Sequence, residues 1–300
     1  MEDIEKQVIA YLERSYPVES PYPLTPEQQK SLSYKNEVFQ DLMSEFPVSL
    51  GKETSRKERE NRNFGPISDS TLTYGEIDFV SIGQVLLTIE ERFNCMPKGG
   101  IFYDLGSGTG KGVVAAALLG DFSICRGIEL LEGLFSISTA IKTKYDERTS
   151  QILAEHSGLF RTLPTVELYL NDFFQYDWSD AGLIFANSTC FDHDMMRKIG
   201  QVQLRNGTVG ISFTKTIPGD NWIVLESIKK DMSWGEATVY IQRYVSTDLL
   251  LRISDELNSK KPKEGEGEAE EAEEEGEGEE GGEKKRKEAV PAEADNTEEF

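Results

Sequence analysis

The sequence predicts an α/β protein whose core is a doubly wound, mostly parallel sheet. Apolar strand-like segments alternate with helical segments between residues 100 and 215, an order typical of a parallel sheet covered by helices on both faces. A glycine-rich turn, DLGSGTGKG at 104–112, joins the first strand to the first helix of this series. The chain ends in an acidic, glycine-rich stretch with few large apolar residues.

Residues 1–65 are predicted to form an N-terminal helical extension. Apolar residues recur at helical spacing in 4–16 and 31–46, and four prolines separate the two segments. Residues 52–63 (KETSRKERENRN) form a charged connector, helical or flexible, with a basic bias.

Residues 66–252 are predicted to form the α/β domain. Its first segment, 76–93, has the apolar spacing of a long amphipathic helix. The expected strands are 100–106, 124–130, 165–172, 181–188, 207–215 and a closing β-rich segment at 237–245. The expected helices between them are 111–120, 134–157 and 193–204.

Residues 253–300 are predicted to be a disordered acidic tail. From Ser259 onward there are 17 acidic and 7 basic residues, a net −10 within a chain of net charge −22. Such a segment buries too little apolar surface to offset the entropy of ordering. It either keeps the protein soluble or binds basic partners. The cluster KKRK at 284–287 resembles a nuclear import signal, so we expect a nuclear protein, with the cytoplasm as the alternative.

The composition also limits the cellular setting. The cysteines Cys95, Cys125 and Cys190 are widely spaced, which fits a reducing compartment and argues against a zinc ribbon. The charged N-terminus does not resemble a signal peptide, and we expect no membrane span. An acidic chain is a poor general binder of nucleic acid, because phosphate contacts need Lys and Arg. We expect a monomer without sequence-specific nucleic-acid binding.

The glycine turn favours a ligand that approaches the main chain at the start of a helix. A phosphate-binding loop needs GxxxxGK followed by Ser or Thr, but Gly112 follows Lys111 and Leu105 replaces the first glycine. The dinucleotide fingerprint GxGxxG is matched by Gly106 and Gly108, whereas its third glycine position is lysine. That assignment is weakened and stays open.

Asp104-Leu105-Gly106-Ser107-Gly108-Thr109-Gly110 resembles motif I of class I S-adenosylmethionine-dependent methyltransferases. The resemblance implies a seven-stranded, Rossmann-like methyltransferase sheet. It places the glycines beneath the methionine portion of the cofactor and Asp104 beside its amino group. It also implies that Glu129, ending the second strand, bonds the ribose hydroxyls. Asp172, after the third strand, would lie beside the adenine, which the ring of Phe173 covers.

Other segments resemble the Dot1 family of histone lysine methyltransferases, over about residues 66–250. Upstream of motif I, Thr73-Tyr74-Gly75-Glu76 followed by Phe79 is similar to the family's loop that closes over the cofactor. The stretch IFANSTCF at 184–191 resembles its apolar strand with an asparagine and a terminal aromatic. Ser233-Trp234, with Val239 and Tyr240, resembles the segments beside its lysine channel.

The chain departs from the family pattern in several places. Asn187-Ser188 stands where Asn-Asn is usual, and Thr109-Gly110-Lys111 stands where Val-Gly-Gln is common. The linker after Trp234 is shorter. The family's basic nucleosome-binding segments have counterparts only in SRKERENR at 55–62 and in KKRK. These departures concern the substrate more than the cofactor.

The resemblance implies S-adenosyl-L-methionine as cofactor and a basic protein, such as a histone or nucleosome, as substrate. Cofactor contacts are implied for Thr73, Tyr74, Glu76, Asp104, Gly106, Ser107, Gly108, Gly110, Lys111, Glu129, Asp172, Phe173 and Asn187. We expect the catalytic set to comprise Asn187, which would orient the amine or the methionine end, and four aromatic residues that would wall the channel, Tyr74, Phe191, Trp234 and Tyr240. Enzymes that methylate flat bases or amides typically have two prolines after this asparagine, but Asn187 is followed by Ser-Thr-Cys. This difference disfavours a flipped base as the substrate.

Other chemistry has less support in the sequence. Asp192-His193-Asp194 has metal-ligand residue types, but its position favours capping of the helix that follows, and we expect no metal. No glycine-x-serine-x-glycine elbow supports a hydrolase. Three functions are therefore considered. The first is a lysine methyltransferase of histones, with histone H3 as the expected substrate; the alternatives are a methyltransferase of another protein and an inactive methyltransferase fold kept for interactions.

Overall fold

The computed structural model describes residues 2–12, 23–61, 72–232 and 235–260. These residues form an α/β fold around a seven-stranded, mostly parallel sheet, as the sequence predicted. Trp234 and the segment 261–300, including its KKRK cluster, lie outside the described residues.

The sheet has the strand order β3-β2-β1-β4-β5-β7-β6. Strands β1 to β5 run parallel, whereas β7 is antiparallel to both β5 and β6. The order reverses between β1 and β4, where Phe102 pairs with Leu183. The strands are β1 Ile101–Leu105, β2 Ile124–Glu129, β3 Thr165–Leu170, β4 Leu183–Ala186, β5 Val209–Phe213, β6 Trp222–Met232 and β7 Gly235–Tyr244.

Eight α-helices lie in the described ranges, and none of them combines the length and apolar character that a bilayer span requires. Several begin where the sequence supplies a cap: Thr25 and Gln28 form a capping box at α2, and Asp78 caps α4. The helices are α1 Glu2–Leu12, α2 Pro26–Met43, α3 Val48–Asn61, α4 Phe79–Glu91, α5 Lys111–Leu119, α6 Glu132–Glu155, α7 His193–Gly200 and α8 Thr247–Lys260.

Alternation along the central strands sends side chains to two apolar layers. Phe102 and Phe185 face the layer built with α1, α2, α4, α5, α6 and α8, whereas Tyr103 and Ile184 face the layer built with α7. The N-terminal helices therefore share one hydrophobic core with the sheet, through residues such as Val8.

Two elements were not predicted. No strand was predicted for β6, whose pairing with β7 at the sheet edge defines it. The tail was predicted to be disordered from residue 253, but α8 continues to Lys260. Leu249 and Ile253 of α8 are buried in the same core as α1, so tertiary packing orders a helix whose sequence alone is strongly charged.

Candidate active site

A cavity of about 530 Å³ opens at the carboxyl ends of the parallel strands, where the strand order reverses between β1 and β4. Open α/β sheets bind their ligands at this position. Its wall brings together the glycine turn after β1, the ends of β2 and β3, the segment after β4, and a loop preceding α4. The predicted residues on this wall are Thr73, Tyr74, Glu76, Asp104, Gly106, Ser107, Gly108, Lys111, Glu129, Asp172, Phe173, Asn187 and Phe191.

The glycine turn is held against β2 by its own main chain. Gly106 N and Ser107 N both donate to the carbonyl oxygen of Ile128, at 2.9 and 3.0 Å. Gly108 has a φ of +56°, and a Cβ added there would lie 2.5 Å from Cε2 of Tyr74. Only glycine meets both the left-handed backbone and this close approach.

Two buried carboxylates face the cavity. Burial, with Glu129 nearby, raises the pKa of Asp104 to about 8. Glu129 Oε2 accepts from Gly108 N at 2.6 Å, and its Oε1 accepts from Leu130 N and Leu131 N at 2.9 and 2.8 Å. Burial also raises the pKa of Glu129, although these three hydrogen bonds oppose the rise.

The loop before α4 closes the cavity through a polar network around Tyr74. The Tyr74 hydroxyl bonds Glu76 and, at 2.7 Å, Thr109 of the glycine turn. Lys111, at the start of α5, donates to both carboxylate oxygens of Glu76 at 2.8 and 3.0 Å. The ion pair is almost buried and ties the loop to α5. Burial, followed by Glu76, raises the pKa of the Tyr74 hydroxyl, which stays protonated.

Helix α3 supports this loop from behind. A Cβ on Gly51 would lie 2.4 Å from Cε1 of Tyr74, so the ring is held between Gly51 on one edge and Gly108 on the other. The buried Ser55 hydroxyl donates to the Leu72 carbonyl oxygen at 3.0 Å. Neither contact was predicted, because Gly51 and Ser55 lie within a charged segment of ordinary helical composition.

The segment after β4 forms the opposite side of the cavity. Asn187 Nδ2 donates to the carbonyl oxygen of Gly75 at 3.0 Å, linking this segment to the loop before α4. The buried Ser188 hydroxyl donates to Phe213 O and accepts from Phe213 N, both at 2.9 Å. The Phe191 ring stacks on Phe173 with centroids 5.8 Å apart. Ser188 thus fastens to β5 the segment that carries Asn187 and Phe191.

The remaining predicted residues have different positions. Gly110, with a φ of +79°, begins α5 behind the turn and does not line the cavity. Tyr240 lies on β7 opposite Ser212 and likewise stands apart from the lining, so its channel role stays a prediction. Trp234 is outside the described residues. The cavity also includes residues that were not predicted, among them Phe174, Asp192, Asp194, Met195 and Lys198.

The acidic cluster after Phe191 is a helix cap, as predicted. Asp192 is the N-cap residue of α7, and its Oδ1 accepts from Met195 N at 2.8 Å. Among the described residues, no group of three or more His, Cys, Asp or Glu side chains is placed to share a metal ion.

The cavity can be tested against the cofactor that the sequence implies. A volume of about 530 Å³ is within the range of cofactor sites. The Ser107 hydroxyl is buried and has no hydrogen-bond partner among the described residues, so one polar group on this wall is free for a ligand. Buried carboxylates suit an ammonium group and vicinal hydroxyls, and the glycines leave room beside them. The residues fit S-adenosyl-L-methionine.

The sheet, the glycine turn at the strand switch and the paired carboxylates define a class I S-adenosylmethionine-dependent methyltransferase. The sequence profile of the family described as histone methylation protein DOT1 matches residues 56–240, more than half of the chain. The protein belongs to the DOT1 family, and S-adenosyl-L-methionine is its cofactor.

Solved structures with a similar fold were also found. An RNA methyltransferase from Salinibacter ruber in complex with S-adenosyl-L-homocysteine is 22% identical, with a TM-score of 0.38, over 56% of this chain and 95% of that one. A putative RNA methyltransferase from Pyrococcus horikoshii is 14% identical, with a TM-score of 0.40, over 66% of this chain and 97% of that one. TrmN from Thermus thermophilus is 14% identical, with a TM-score of 0.40, over 63% of this chain and 52% of that one. The search of curated proteins found no match.

Proposed function

We propose that this DOT1-family methyltransferase methylates a lysine amine of a basic protein, with histone H3 as the first candidate. The observation that carries the proposal is the charge of the cavity. Six acidic side chains line it against two lysines: Glu76, Asp104, Glu129, Asp172, Asp192 and Asp194 against Lys111 and Lys198. Even with Asp104 protonated, the acidic groups outnumber the basic ones. This surface attracts a cationic substrate and repels the phosphates of a nucleic acid.

The cofactor contacts are assigned by position. Asp104 and the glycine turn would hold the methionine end, Glu129 the ribose, and Asp172 with Phe173 the adenine. Lys111 would face the methionine carboxylate, and Glu76 would keep that lysine in place. When bound, S-adenosyl-L-methionine supplies a methyl group that its sulfonium already activates. The protein must then align the acceptor and exclude water.

The acceptor must be a neutral amine when it meets the methyl group. A lysine amine has a reference pKa of about 10.4. The rings of Tyr74 and Phe191 would surround the bound amine with apolar surface, and this desolvation lowers its pKa because it disfavours the ammonium form. Asn187 uses its Nδ2 to hold Gly75, so we assign its Oδ1 to orienting the amine. Asp192 and Asp194, at the start of α7, would attract the charged lysine before its proton leaves to water.

A second candidate, methylation of a protein other than a histone, is favoured by the charges on α3. The segment at 55–62 is the main basic counterpart of the family's nucleosome-binding regions. Its Arg56 pairs with Glu60 at 2.9 Å, and its Lys57 pairs with Glu53 at 2.7 Å. These i,i+4 pairs offset part of the positive charge that would meet DNA phosphates.

The test is a methyl-transfer assay with radiolabelled S-adenosyl-L-methionine. Nucleosomes, free histone H3, a cell lysate and RNA are offered separately, with Asn187→Ala as the inactive control. Label on a lysine of H3 supports the first candidate, and label on another lysate protein supports the second. Label on RNA contradicts both. No transfer from a protein that binds the cofactor would identify an inactive interaction module.

We further propose a monomeric, nuclear protein. Membership of a histone methylation family and the KKRK cluster at 284–287 support the nucleus. A fluorescent fusion of the full chain should be nuclear, and replacing the four basic residues by alanine should shift it to the cytoplasm. A cytoplasmic wild-type fusion would contradict this proposal. Light scattering on the purified full chain should give the mass of one chain, and twice that mass would contradict the monomer.

A further inference from the structure

Helix α6 begins without a cap of its own. The first main-chain N–H groups of a helix have no partner within it, and the N-cap residue here, Leu131, offers no side-chain acceptor. A carboxylate from another helix fills this role: Glu58 of α3 accepts from Glu132 N at 3.0 Å and from Gly133 N at 2.8 Å. Just before the helix, Glu129 accepts from Leu130 N and Leu131 N.

The contact between α3 and α6 is close and needs a glycine. A Cβ on Gly133 would lie 2.6 Å from Cγ2 of Thr54 and 2.9 Å from Oε2 of Glu58. The half-buried Glu58 carboxylate therefore reaches the main chain of α6 directly, across 74 positions of sequence. A helix of the N-terminal extension thus supplies the cap that the sequence ELLEGLF lacks.

Three main-chain N–H groups, which bond different oxygens of the Glu129 carboxylate, fix its position. Its Oε1 takes the two N–H groups before α6, and its Oε2 takes Gly108 N of the glycine turn at 2.6 Å. If Glu58 were absent, the N–H groups of Glu132 and Gly133 would lose this acceptor. The other carboxylates at that helix end are Glu132 itself and Glu129, and Glu129 already accepts from the two N–H groups just before the helix. Competition for Glu129 would draw it away from the glycine turn and the cavity.

We propose that Glu58 is a positioning residue for Glu129, holding the α6 N-terminus so that Glu129 stays directed at the cofactor ribose. The inference rests on the ribose contact proposed above. It gives the N-terminal extension a part in cofactor binding beyond its share of the core.

The charge of Glu58 and its proposed positioning role should change cofactor affinity in opposite directions, so variants of Glu58 can separate the two effects. Burial raises the pKa of Glu129, and the charge of Glu58 adds to that rise. Removing the Glu58 charge would by itself favour ionised Glu129 and a stronger hold on hydroxyls. A loss of affinity on removing Glu58 must therefore come from displacement. Glu58→Gln removes the charge but retains an acceptor oxygen, whereas Glu58→Ala removes both.

The experiment measures binding of S-adenosylhomocysteine and of its 2′,3′-dideoxyribose analogue by calorimetry. The full chain, Glu58→Ala, Glu58→Gln, Glu129→Gln and the double variant Glu58→Ala/Glu129→Gln are compared. Glu53→Ala is the matched control, since Glu53 lies on the same helix and pairs only with exposed Lys57 among the described contacts. Circular dichroism verifies that each variant is folded.

We expect Glu58→Ala to weaken S-adenosylhomocysteine binding about fivefold, the factor to which the loss of a typical N-cap corresponds. The affinity of Glu58→Gln for S-adenosylhomocysteine should lie between those of Glu58→Ala and the wild type, and the affinity of Glu53→Ala should equal that of the wild type. The dideoxy analogue should bind Glu58→Ala and the wild type equally. The double variant should bind no more weakly than Glu129→Gln, because both changes remove the same contact.

Three results would overturn the inference while the ribose contact stands. The first is wild-type affinity in Glu58→Ala when Glu129→Gln is impaired. The second is an equal loss of affinity for both ligands, and the third is an additive loss in the double variant; either would show only general support by the helix. If Glu129→Gln binds S-adenosylhomocysteine like the wild type, the ribose contact itself is wrong, and the inference is wrong with it.

Discussion

The two sides of the cofactor cavity are built in different ways. On one side, the strand ends present the glycine turn, Glu129, Asp172 and Asn187, each at the end of its own parallel strand. On the other side, the loop with Tyr74 is held by contacts from α3, which lies in the N-terminal extension. The first side is encoded by short local motifs. The second depends on contacts between the Tyr74 loop and α3, a helix with no recognisable motif, and the Tyr74 ring also touches the glycine turn.

The largest effect is expected on the strand-end side, at Gly108. Arginine at this position would need the left-handed backbone and would collide with Tyr74, where even a Cβ would lie 2.5 Å away. We expect Gly108→Arg to bind S-adenosyl-L-methionine more than about 100-fold more weakly, since overpacking and backbone strain combine. Calorimetry with a parallel thermal-unfolding control would measure this. Equal affinity in the two proteins would refute the assignment of the cavity.

A substitution at Asn187, on the same side of the cavity, tests how the acceptor amine is oriented. We expect Asn187→Ala to lower kcat about 100-fold, as removal of one orienting group does in other enzymes. The affinity for the cofactor should stay within about threefold, because the lost bond to Gly75 is a single neutral hydrogen bond. Steady-state methyl transfer and calorimetry separate the two quantities. Wild-type turnover would contradict the role proposed for this amide.

Asp104 should make cofactor binding depend on pH. Its pKa of about 8 means that the ligand-free carboxyl is protonated at neutral pH and must ionise to hold an ammonium group. Affinity for S-adenosylhomocysteine should therefore rise about tenfold per pH unit between pH 6 and 8, then level off. The raised pKa also means that the stability of the ligand-free protein falls as pH rises through this range.

The control for this pH dependence is Asp104→Asn, which keeps the shape of the side chain. Its affinity should be low and nearly flat over the same pH range, and its ligand-free stability should no longer fall toward pH 8. A slope that survives in Asp104→Asn would show that another group, such as Glu129, titrates in its place.

The smallest effect is expected on the side built by the N-terminal extension. Gly51→Ala would place a methyl group 2.4 Å from the Tyr74 ring and should lower the free energy of unfolding by about 1–3 kcal/mol. Gly158→Ala is the control for an added methyl group that makes no contact, because a Cβ at this residue, in the turn after α6, meets no atom within 4 Å. Urea denaturation of both variants gives the comparison. A stabilised Gly51→Ala, as helix propensity alone favours, would show that α3 does not restrain Tyr74.

The sequence by itself determined the class of fold, the cofactor and most of the strand-end side of the cavity. Local rules suffice there, because a strand that ends in Asp104 and a glycine turn must place them at one sheet edge. The cap at Asp192 was also predictable, since capping depends on neighbouring residues. Each of these features lies within a few residues of the sequence motif that predicts it.

Only the tertiary structure decided what surrounds those motifs. Strand β6 exists through its pairing with β7, and α8 through packing of Leu249 and Ile253 beside α1. The contacts of Gly51 with Tyr74 and of Glu58 with α6 join residues far apart in sequence. Such contacts leave no periodic pattern, because a glycine or a glutamate inside a charged helix looks the same whether it faces solvent or another main chain.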